Sequence, residues 1–365
     1  MPFIGRAPAK AVTPAGLEVR LLSFSYPWGR LALGLGVVAL VAVMAGGIGS
    51  VYISPDGFVK IVADRIPFVD VANTWPASWE TIIWELRLPR IVLAGLVGAG
   101  LAVSGATYQG LFRNPLADPY LIGVASGAGL GASVVFLTRV PFYFGGFSVL
   151  PLAAFVGGVG AVTVAYIIAR QSEGVPLTTL ILAGVAIASM TGAVTSLLMI
   201  RADPDVRPLL GWLLGGFIGA DWRDVRIVLP YMIPGMAIML AYGRILNLFQ
   251  LKEEEAKQLG VNVERTKVLL VVLASLTTAA AVSVSGMIGF VGLIAPHAVR
   301  LIWGYDHRTL LPMAMFVGAG FLILADVAAR TVASPSELPV GVVTAFCGAP
   351  FFLYLLRRRG RGVSS

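Results

Sequence analysis

Long runs without a charged residue dominate this chain and constrain what it can fold into. With His297 neutral, uncharged runs cover residues 31–55, 91–112, 119–138, 140–169, 174–200, 227–243, 268–299, 309–325 and 338–356. Only 13% of the residues are charged, whereas roughly 25% is usual in a soluble domain. An apolar run of about 20 residues is long enough to cross a bilayer as a helix. The sequence therefore predicts a polytopic membrane protein.

The uncharged runs predict an all-α fold with about ten transmembrane helices. The run 268–299 is too long for one span, so we expect it to break at Ser285-Gly286. The run 208–220 is too short and predicts a half-helix at the outer face. Residues 56–86 are predicted to be a polar loop. A cleaved signal peptide is the alternative for 31–55, but that run exceeds the roughly 7–15 apolar residues of signal peptides.

The positions of Lys and Arg predict the orientation of the chain. Ten spans put both ends on one side, and most of the 27 basic residues face the cytoplasm if both ends do. Four arginines close to the C-terminus are the strongest local signal of this kind. We expect a multi-pass protein of the inner (plasma) membrane, N-in and C-in. Its predicted parts are a cytoplasmic tail at 1–29, a transmembrane domain at 30–357 and a second tail at 358–365.

One segment between two apolar runs is strongly charged. Half of the residues in 252–267 are charged, so the segment stands in water rather than in lipid. It predicts a short helix from Lys252 to Leu259 that ends at Gly260 as a C-cap. A solvated connecting loop is one interpretation. A rigid helix that a soluble partner binds at the membrane face is the other.

Short sequence matches suggest that the two halves of the chain are related. Residues 92–96 are similar to 272–276, and Val-Ser-Gly occurs at both 103–105 and 284–286. The offset is about half the chain, so each half holds about five spans. Five is an odd number, so the halves must be inverted relative to each other, as in many transporters. The glycines spaced by four, Gly123, Gly127 and Gly131 and then Gly215 and Gly219, predict close helix packing.

The sequence lacks the motifs that several functions require. No lysine follows a glycine, so there is no Walker A motif and any ATP must be bound by another subunit. There is no Cys/His cluster for a metal and no catalytic set, and His297 and His307 are predicted to be structural. The net charge of +8 sits in membrane-flanking segments and does not indicate nucleic acid.

Charged residues inside or beside the apolar runs have two interpretations each. Asp326 and Arg330 are spaced i,i+4, so they can neutralise each other, and a proton relay through Asp326 is the alternative. Arg87 and Arg90 flank Leu-Pro at the start of a span. They either snorkel to the interface or bind carboxylates of a partner outside the cell membrane.

Seven motifs resemble the FecCD/BtuC-type permeases. They are RLPR at 87–90, SGATYQGLFRNPLADPYLIGVASGAGLGA at 104–132, LAGVA at 182–186, QLGVNVERTK at 258–267, GFVGLIAPHAVRL at 289–301, DHRTLLP at 306–312 and ELPVGVVTAFCGAPFFLYLL at 337–356. These permeases are the membrane subunits of type II ABC importers for ferric siderophores, haem and cobalamin. The resemblance covers residues 80–357.

The resemblance implies an assembly in which this chain is a transporter subunit and not an enzyme. It implies a homodimer with the translocation path at its axis, two ABC ATP-binding subunits and a periplasmic substrate-binding protein. ATP and Mg²⁺ would be bound by the ATPase partner, and no cofactor or metal by this chain.

The resemblance also implies three sets of functional residues. Coupling to the ATPase falls on Glu253, Glu254, Glu255, Lys257, Leu259, Gly260, Val261, Asn262 and Val263. Docking of the binding protein falls on Arg87, Arg90 and Arg330. The cytoplasmic gate falls on Asn114, Leu116, Thr178 and Thr179.

The cargo predicted by this resemblance is an iron chelate, either haem or a ferric siderophore, ahead of cobalamin. An ion-coupled secondary transporter is the alternative class. It would need titratable groups in the middle of the membrane, and only Asp326 qualifies.

Overall fold

A computed structural model of the chain describes residues 28–67, 69, 71–72, 75–138, 143–144, 147–171, 175–201, 206–251 and 253–361. Most of these residues are helical. The helices in chain order are α1 (Trp28–Gly47), α2 (Pro55–Asp64), α3 (Ala77–Thr81), α4 (Leu88–Leu111), α5 (Val124–Thr138), α6 (Val149–Ala169), α7 (Leu177–Arg201), α8 (Val206–Leu213), α9 (Trp222–Ala241), α10 (Gly243–Leu248), α11 (Glu253–Gln258), α12 (Val263–Ser285), α13 (Val291–Trp303), α14 (His307–Thr331) and α15 (Val340–Arg361). A π-helical turn (Ile82–Arg87) joins α3 to α4, a 3₁₀ turn (Pro119–Ile122) precedes α5, and β1 (Tyr143–Phe144) pairs antiparallel with β2 (Phe147–Ser148).

The helices agree with the predicted number of spans. Seven stretches are long and apolar enough to cross a membrane, namely α1, the continuous stretch Ala77–Leu111, α6, α7, α9, α12 and α14. Three shorter apolar helices, α5, α13 and α15, complete a set of ten within the described residues. The predicted break at Ser285-Gly286 is confirmed, because α12 ends at Ser285 and Gly286 takes a φ of 65°. The predicted tail at 1–29 lies almost wholly outside the described residues.

Two regions differ from the prediction: one is less helical than expected and the other is more helical. The half-helix predicted at 208–220 is α8, which ends at Leu213, two residues before Gly215 adopts a positive φ. Within 56–86, predicted to be a polar loop, the described residues include α2, α3 and the π turn. These helices are short and polar on one side, and their apolar residues Phe58, Ile61 and Ile83 form a small separate cluster. Such short amphipathic helices leave no long apolar run to detect.

Helix α4 is the centre of the bundle. Every residue from 97 to 111 is buried, and the helix packs against α9, α12, α13 and α14. A helix that is apolar on all faces is stable only when other helices surround it. Its neighbours approach closely because glycines face each other. A Cβ on Gly98 would overlap the carbonyl oxygen of Gly318, and one on Gly105 would overlap that of Gly292.

The glycines predicted to mediate packing have different roles. Gly127 lies against the backbone of Gly157, and Gly131 lies against that of Ala153, so α5 and α6 pack as expected from small residues. Gly123 instead takes a φ of 90° and joins the 3₁₀ turn to α5. The interpretation of Gly215 and Gly219 as a helix-packing pair is wrong, because both lie in the turns after α8.

The helix contacts support two related halves of opposite orientation. Helix α4 of the first half packs on α13 and α14, and α12 of the second half packs on α5 and α6. The two central helices run antiparallel. Tyr108, near the end of α4, shares a 2.7 Å hydrogen bond with Ser275, while Gly100, nearer its middle, lies against Thr277 further along α12. This exchange of partners is what inverted repeats produce.

Two glycines of α6 make a matched test of the packing. Gly157→Leu should lower the thermal midpoint of the purified protein, since its side chain would meet the Gly127 backbone and overpacking costs about 1–3 kcal/mol. Gly160→Leu should leave the midpoint nearly unchanged, because nothing lies within 4 Å of a Cβ there. The measurement is a melting curve in detergent. Equal midpoints for the two variants would contradict the close α5–α6 contact.

Candidate functional site

The charged segment forms the short helix that the sequence predicts. Helix α11 covers Glu253–Gln258, and Gly260 ends it with a φ of 82°. The Val261 N–H closes the turn by donating to the carbonyl oxygen of Ala256 over 3.3 Å. A left-handed conformation after a helix suits glycine, which has no Cβ to clash. The predicted helix stop is therefore confirmed.

The coupling segment, defined here as residues 253–263, is anchored on one side and exposed on the other. Ala256 is fully buried and Val263 nearly so, whereas Leu259 is 62% exposed. Asn262 caps α12, because its Oδ1 accepts the Arg265 N–H over 3.0 Å. An exposed leucine beside a glycine turn offers a soluble partner an apolar contact on a firmly held segment.

Some residues that are predicted to couple to the ATPase have side chains that the structure does not describe. Lys252 and the side chains of Glu253, Glu254 and Lys257 lie outside the part of the chain that the structure describes. The contribution of their charges to partner binding stays a prediction.

Residues 112–118 are called the first gate segment because they hold Asn114 and Leu116, which the family resemblance assigns to the gate, and they form the turn after α4. The Leu116 N–H donates to Asn114 Oδ1 over 2.9 Å, and the Ala117 N–H donates to the Asn114 carbonyl over 3.1 Å. Asp118 then caps the 3₁₀ turn by accepting the Tyr120 N–H over 2.8 Å. Burial raises the pKa of the Asp118 carboxyl to about 6. The segment is thus a closed turn with Leu116 at its surface.

The second gate segment, residues 175–179, leads into α7. Thr178 is exposed and Thr179 is half-buried in the first turn of that helix. Gly184 of α7 packs on the backbone of Leu121 and Ile122. This contact sets α7 beside the 3₁₀ turn that follows the first gate segment, so the two predicted gate segments lie at the same end of the bundle.

Charged residues gather at the opposite end of α4. Arg90 Nε donates to Asp326 Oδ1 over 2.8 Å, and Arg90 Nη2 lies 2.9 Å from Glu337 Oε2. Arg330 Nε lies 3.7 Å from Asp326 Oδ2. The neutralisation of Asp326 by Arg330, predicted from their spacing, is present. Arg90 is nevertheless the closer partner, and sequence spacing could not reveal it because it is 236 residues away.

The three arginines proposed for docking have acceptors inside the protein. Arg87 Nη1 donates to the carbonyl oxygen of Gly46, and Arg330 Nη2 donates to that of Ala45, each over 2.6 Å. Arg87 is only 6% exposed, and among the charges of this cluster Glu337 is the more accessible carboxylate. In this conformation the arginines are held against the helices rather than extended from the surface.

A groove of about 300 Å³ runs beside this cluster. Residues that line it include Gly49, Ser50, Arg87, Arg90, Arg330 and Glu337. From Arg90 to the first gate segment the chain follows α4, which at 1.5 Å per residue separates the two ends by about 35 Å. The charged cluster and the gate segments are therefore at opposite ends of one buried helix.

Sequence reasoning missed a buried polar network near the gate end. Arg300 Nη1 donates to Gln109 Oε1 over 2.5 Å, and Gln109 Nε2 donates to the Gly292 carbonyl over 3.1 Å. His307 Nδ1 lies 2.9 Å from Asn247 Oδ1, which agrees with the structural role predicted for this histidine. The available signal was Gln109 itself, because a strongly polar residue inside an apolar span requires a buried partner.

Comparison with known proteins gives consistent matches over most of the chain. The family model of the FecCD transport family matches residues 36–358. The cobalamin import system permease BtuC of Halobacterium salinarum is 43% identical over 364 residues, which is 97% of each chain. The hemin transport system permease HmuU of Yersinia pestis is 41% identical over 78% of this chain and 87% of its own length. The Fe(3+)-citrate import permease YfmE of Bacillus subtilis is 37% identical over 89% and 93%.

A solved structure has the same fold. It is an inward-facing conformation of a metal-chelate type ABC transporter, 32% identical in sequence, with a TM-score of 0.79 over 90% of this chain and 99% of that one. The apolar helices, the motif positions and these likenesses lead to one assignment. The chain belongs to the FecCD transport family and is the membrane-spanning permease subunit of a type II ABC importer.

Proposed function

We propose that two copies of this chain form a homodimer that carries a bulky metal chelate inward across the inner (plasma) membrane by alternating access. Two separate ABC subunits would bind and hydrolyse ATP, and a periplasmic binding protein would deliver the cargo. The observation that carries this proposal is the separation of sites along α4. Coupling and gate segments lie at one end, and the arginine cluster lies about 35 Å away at the other.

The end that carries α11 is proposed to face the cytoplasm, with both termini on that side. Exposed arginines flank this end at Arg113, Arg170, Arg244 and Arg265, as expected of cytoplasmic loops. Leu259 and Gly260 form the exposed tip of the coupling segment. We propose that this tip sits in a cleft of the ATPase, with the acidic residues of α11 beside it.

The opposite end is proposed to dock the binding protein. Three guanidinium groups face two carboxylates there, Asp326 and Glu337, so the cluster has an excess of positive charge. Asp326 is buried between Arg90 and Arg330, whereas Glu337 is partly accessible. A carboxylate of the binding protein would take the place of Glu337 at Arg90 and form a charge-assisted pair.

The gate is proposed to comprise Asn114, Leu116, Thr178 and Thr179 from both copies. Small polar groups and one leucine suit a constriction that must close without retaining the cargo. The competing ion-coupled carrier needs a titratable group free to exchange protons. Asp326, the residue that qualified, is 2% exposed and paired with two arginines, which favours a structural ion pair.

An iron chelate, haem or a ferric siderophore, is the first proposed cargo. The relatives named for hemin and for Fe(3+)-citrate support it. Cobalamin is the second candidate. It is favoured by one specific observation, since the likeness to the Halobacterium cobalamin permease extends over 97% of both chains.

Uptake by proteoliposomes tests the class and the cargo together. The vesicles hold this chain with its ATPase and binding protein, and haem, a ferric siderophore and cobalamin are offered in parallel. We expect uptake of one cargo only when ATP is inside. Uptake that is independent of ATP and depends on a proton gradient would contradict the ATP-driven importer and favour an ion-coupled carrier.

Gly260 provides a test of the coupling segment. Gly260→Pro should abolish co-purification of the ATPase and reduce uptake by at least about tenfold, because proline cannot adopt the φ of 82° that ends α11. Gly219→Pro is the matched control. That glycine also has a positive φ and open space around it, but it lies before α9 at the arginine end. If Gly260→Pro assembled with the ATPase and took up cargo as wild type does, the proposed role of this segment in coupling would be contradicted.

Arg90 provides a test of the docking cluster. The double variant Arg90→Gln/Asp326→Asn removes both charges, so no unpaired carboxylate remains buried. We expect about tenfold weaker affinity for the binding protein and a weaker dependence on salt. Arg207→Gln, which removes an exposed charge from α8, should bind as wild type. Equal affinities of all three proteins at low salt would contradict docking at Arg90.

A further inference from the structure

Arg113 connects the first gate segment to the chain just before α11. Its Nε donates to the carbonyl oxygen of Phe249 over 2.5 Å, and its Nη2 donates to that of Leu251. Gln250 adds a bond in the other direction, since its Nε2 donates to the Gly110 carbonyl over 3.0 Å. Three hydrogen bonds thus join residues 249–251 to the end of α4 and the first gate segment.

The local conformation at Arg113 is suited to this contact. Its backbone φ is 49°, a left-handed value that few residues other than glycine and asparagine adopt readily. Phe249 and Leu251 follow the end of α10, where backbone carbonyls are not paired within the helix. A guanidinium is a planar fork that can donate to two acceptors at once, and its positive charge is favourable at a helix C-terminus.

Glu264 makes the corresponding contact on the other side of the coupling segment. Its Oε1 accepts the N–H of Val175 over 2.9 Å. Glu264 directly follows the coupling segment in the first turn of α12. Val175 is buried and begins the second gate segment, close to Thr178. One carboxylate therefore holds the start of the second gate segment.

We propose that Arg113 and Glu264 are positioning residues that transmit movement of α11 to both gate segments. The inference rests on the proposed function, in which α11 receives motion from the ATPase. Arg113 and Phe249 are 136 residues apart in the chain, and Glu264 and Val175 are 89 residues apart. Motion therefore cannot pass between the members of either pair along the backbone alone. The two side chains hold the coupling segment at its two ends, one gate segment to each. A displacement of α11 then moves both gate segments together.

Variants that remove the bonds and keep the backbone test this role. Arg113→Asn tolerates the left-handed backbone but cannot reach Phe249. Glu264→Ala removes the acceptor for Val175, whereas Glu264→Gln keeps an oxygen that can accept the same N–H. Arg244→Asn is the matched control, because Arg244 is exposed on α10 and its removal leaves both contacts intact.

The measurement is cargo taken up per ATP hydrolysed, in proteoliposomes holding the complete complex. We expect Arg113→Asn and Glu264→Ala to hydrolyse ATP within about twofold of wild type while uptake per ATP falls about tenfold, in the range of typical coupling energies. Glu264→Gln and Arg244→Asn should retain the wild-type ratio. Rescue by glutamine separates positioning from a general requirement for charge.

Two results would overturn the inference. One is a wild-type ratio of uptake to hydrolysis in both Arg113→Asn and Glu264→Ala. The other is a parallel loss of hydrolysis and uptake with loss of the assembled complex, which would make these side chains structural supports only. Failure of the proposed function has a different signature, because the wild-type complex itself would then show no ATP-dependent uptake.

Discussion

Close packing around α4 is the constraint on which the rest of this structure depends. Lipid is as apolar as a leucine side chain, so burial from water cannot hold helices together within a bilayer. Helices must instead approach until their backbones touch. The glycine contacts at Gly98 with Gly318 and at Gly105 with Gly292 allow this approach. These contacts bring α13 and α14 against α4, and α9 and α12 also pack on it.

The charged groups beside the central helix lie at its two ends. Arg90 at one end pairs with Asp326 and Glu337, which come from the end of α14 and the turn after it. Arg113 at the other end binds carbonyls next to the coupling segment. Charges are costly in the hydrocarbon core and are stable near its faces when paired. The same cost keeps these groups near the two faces, which is where the proposed function places the soluble partners.

Some parts of the site could be predicted from sequence because they depend on neighbours in the chain. The helix stop at Gly260 and the break at Gly286 follow from a single glycine after an apolar or charged helix. The Asp326–Arg330 pair follows from i,i+4 spacing. The three arginines predicted to share a docking role do lie together at one end of α4, but their acceptors within the protein were not predicted. Arg87 binds a carbonyl of Gly46, and Arg90 binds Asp326 and Glu337. Those acceptors come from remote parts of the chain, and no local pattern indicates them.

The sequence by itself determined the class of protein, the number of spans, the exposed charged helix and the motifs of the family. These are properties of hydropathy, local spacing and single glycines, which act over a few residues. The tertiary structure alone decided that parts of 56–86 are helical and that Gln109 binds Arg300. It also decided that Arg113 and Glu264 bond to chain segments 136 and 89 residues away. Such contacts depend on which helices lie side by side, and that choice is made by the shape of the whole packed bundle.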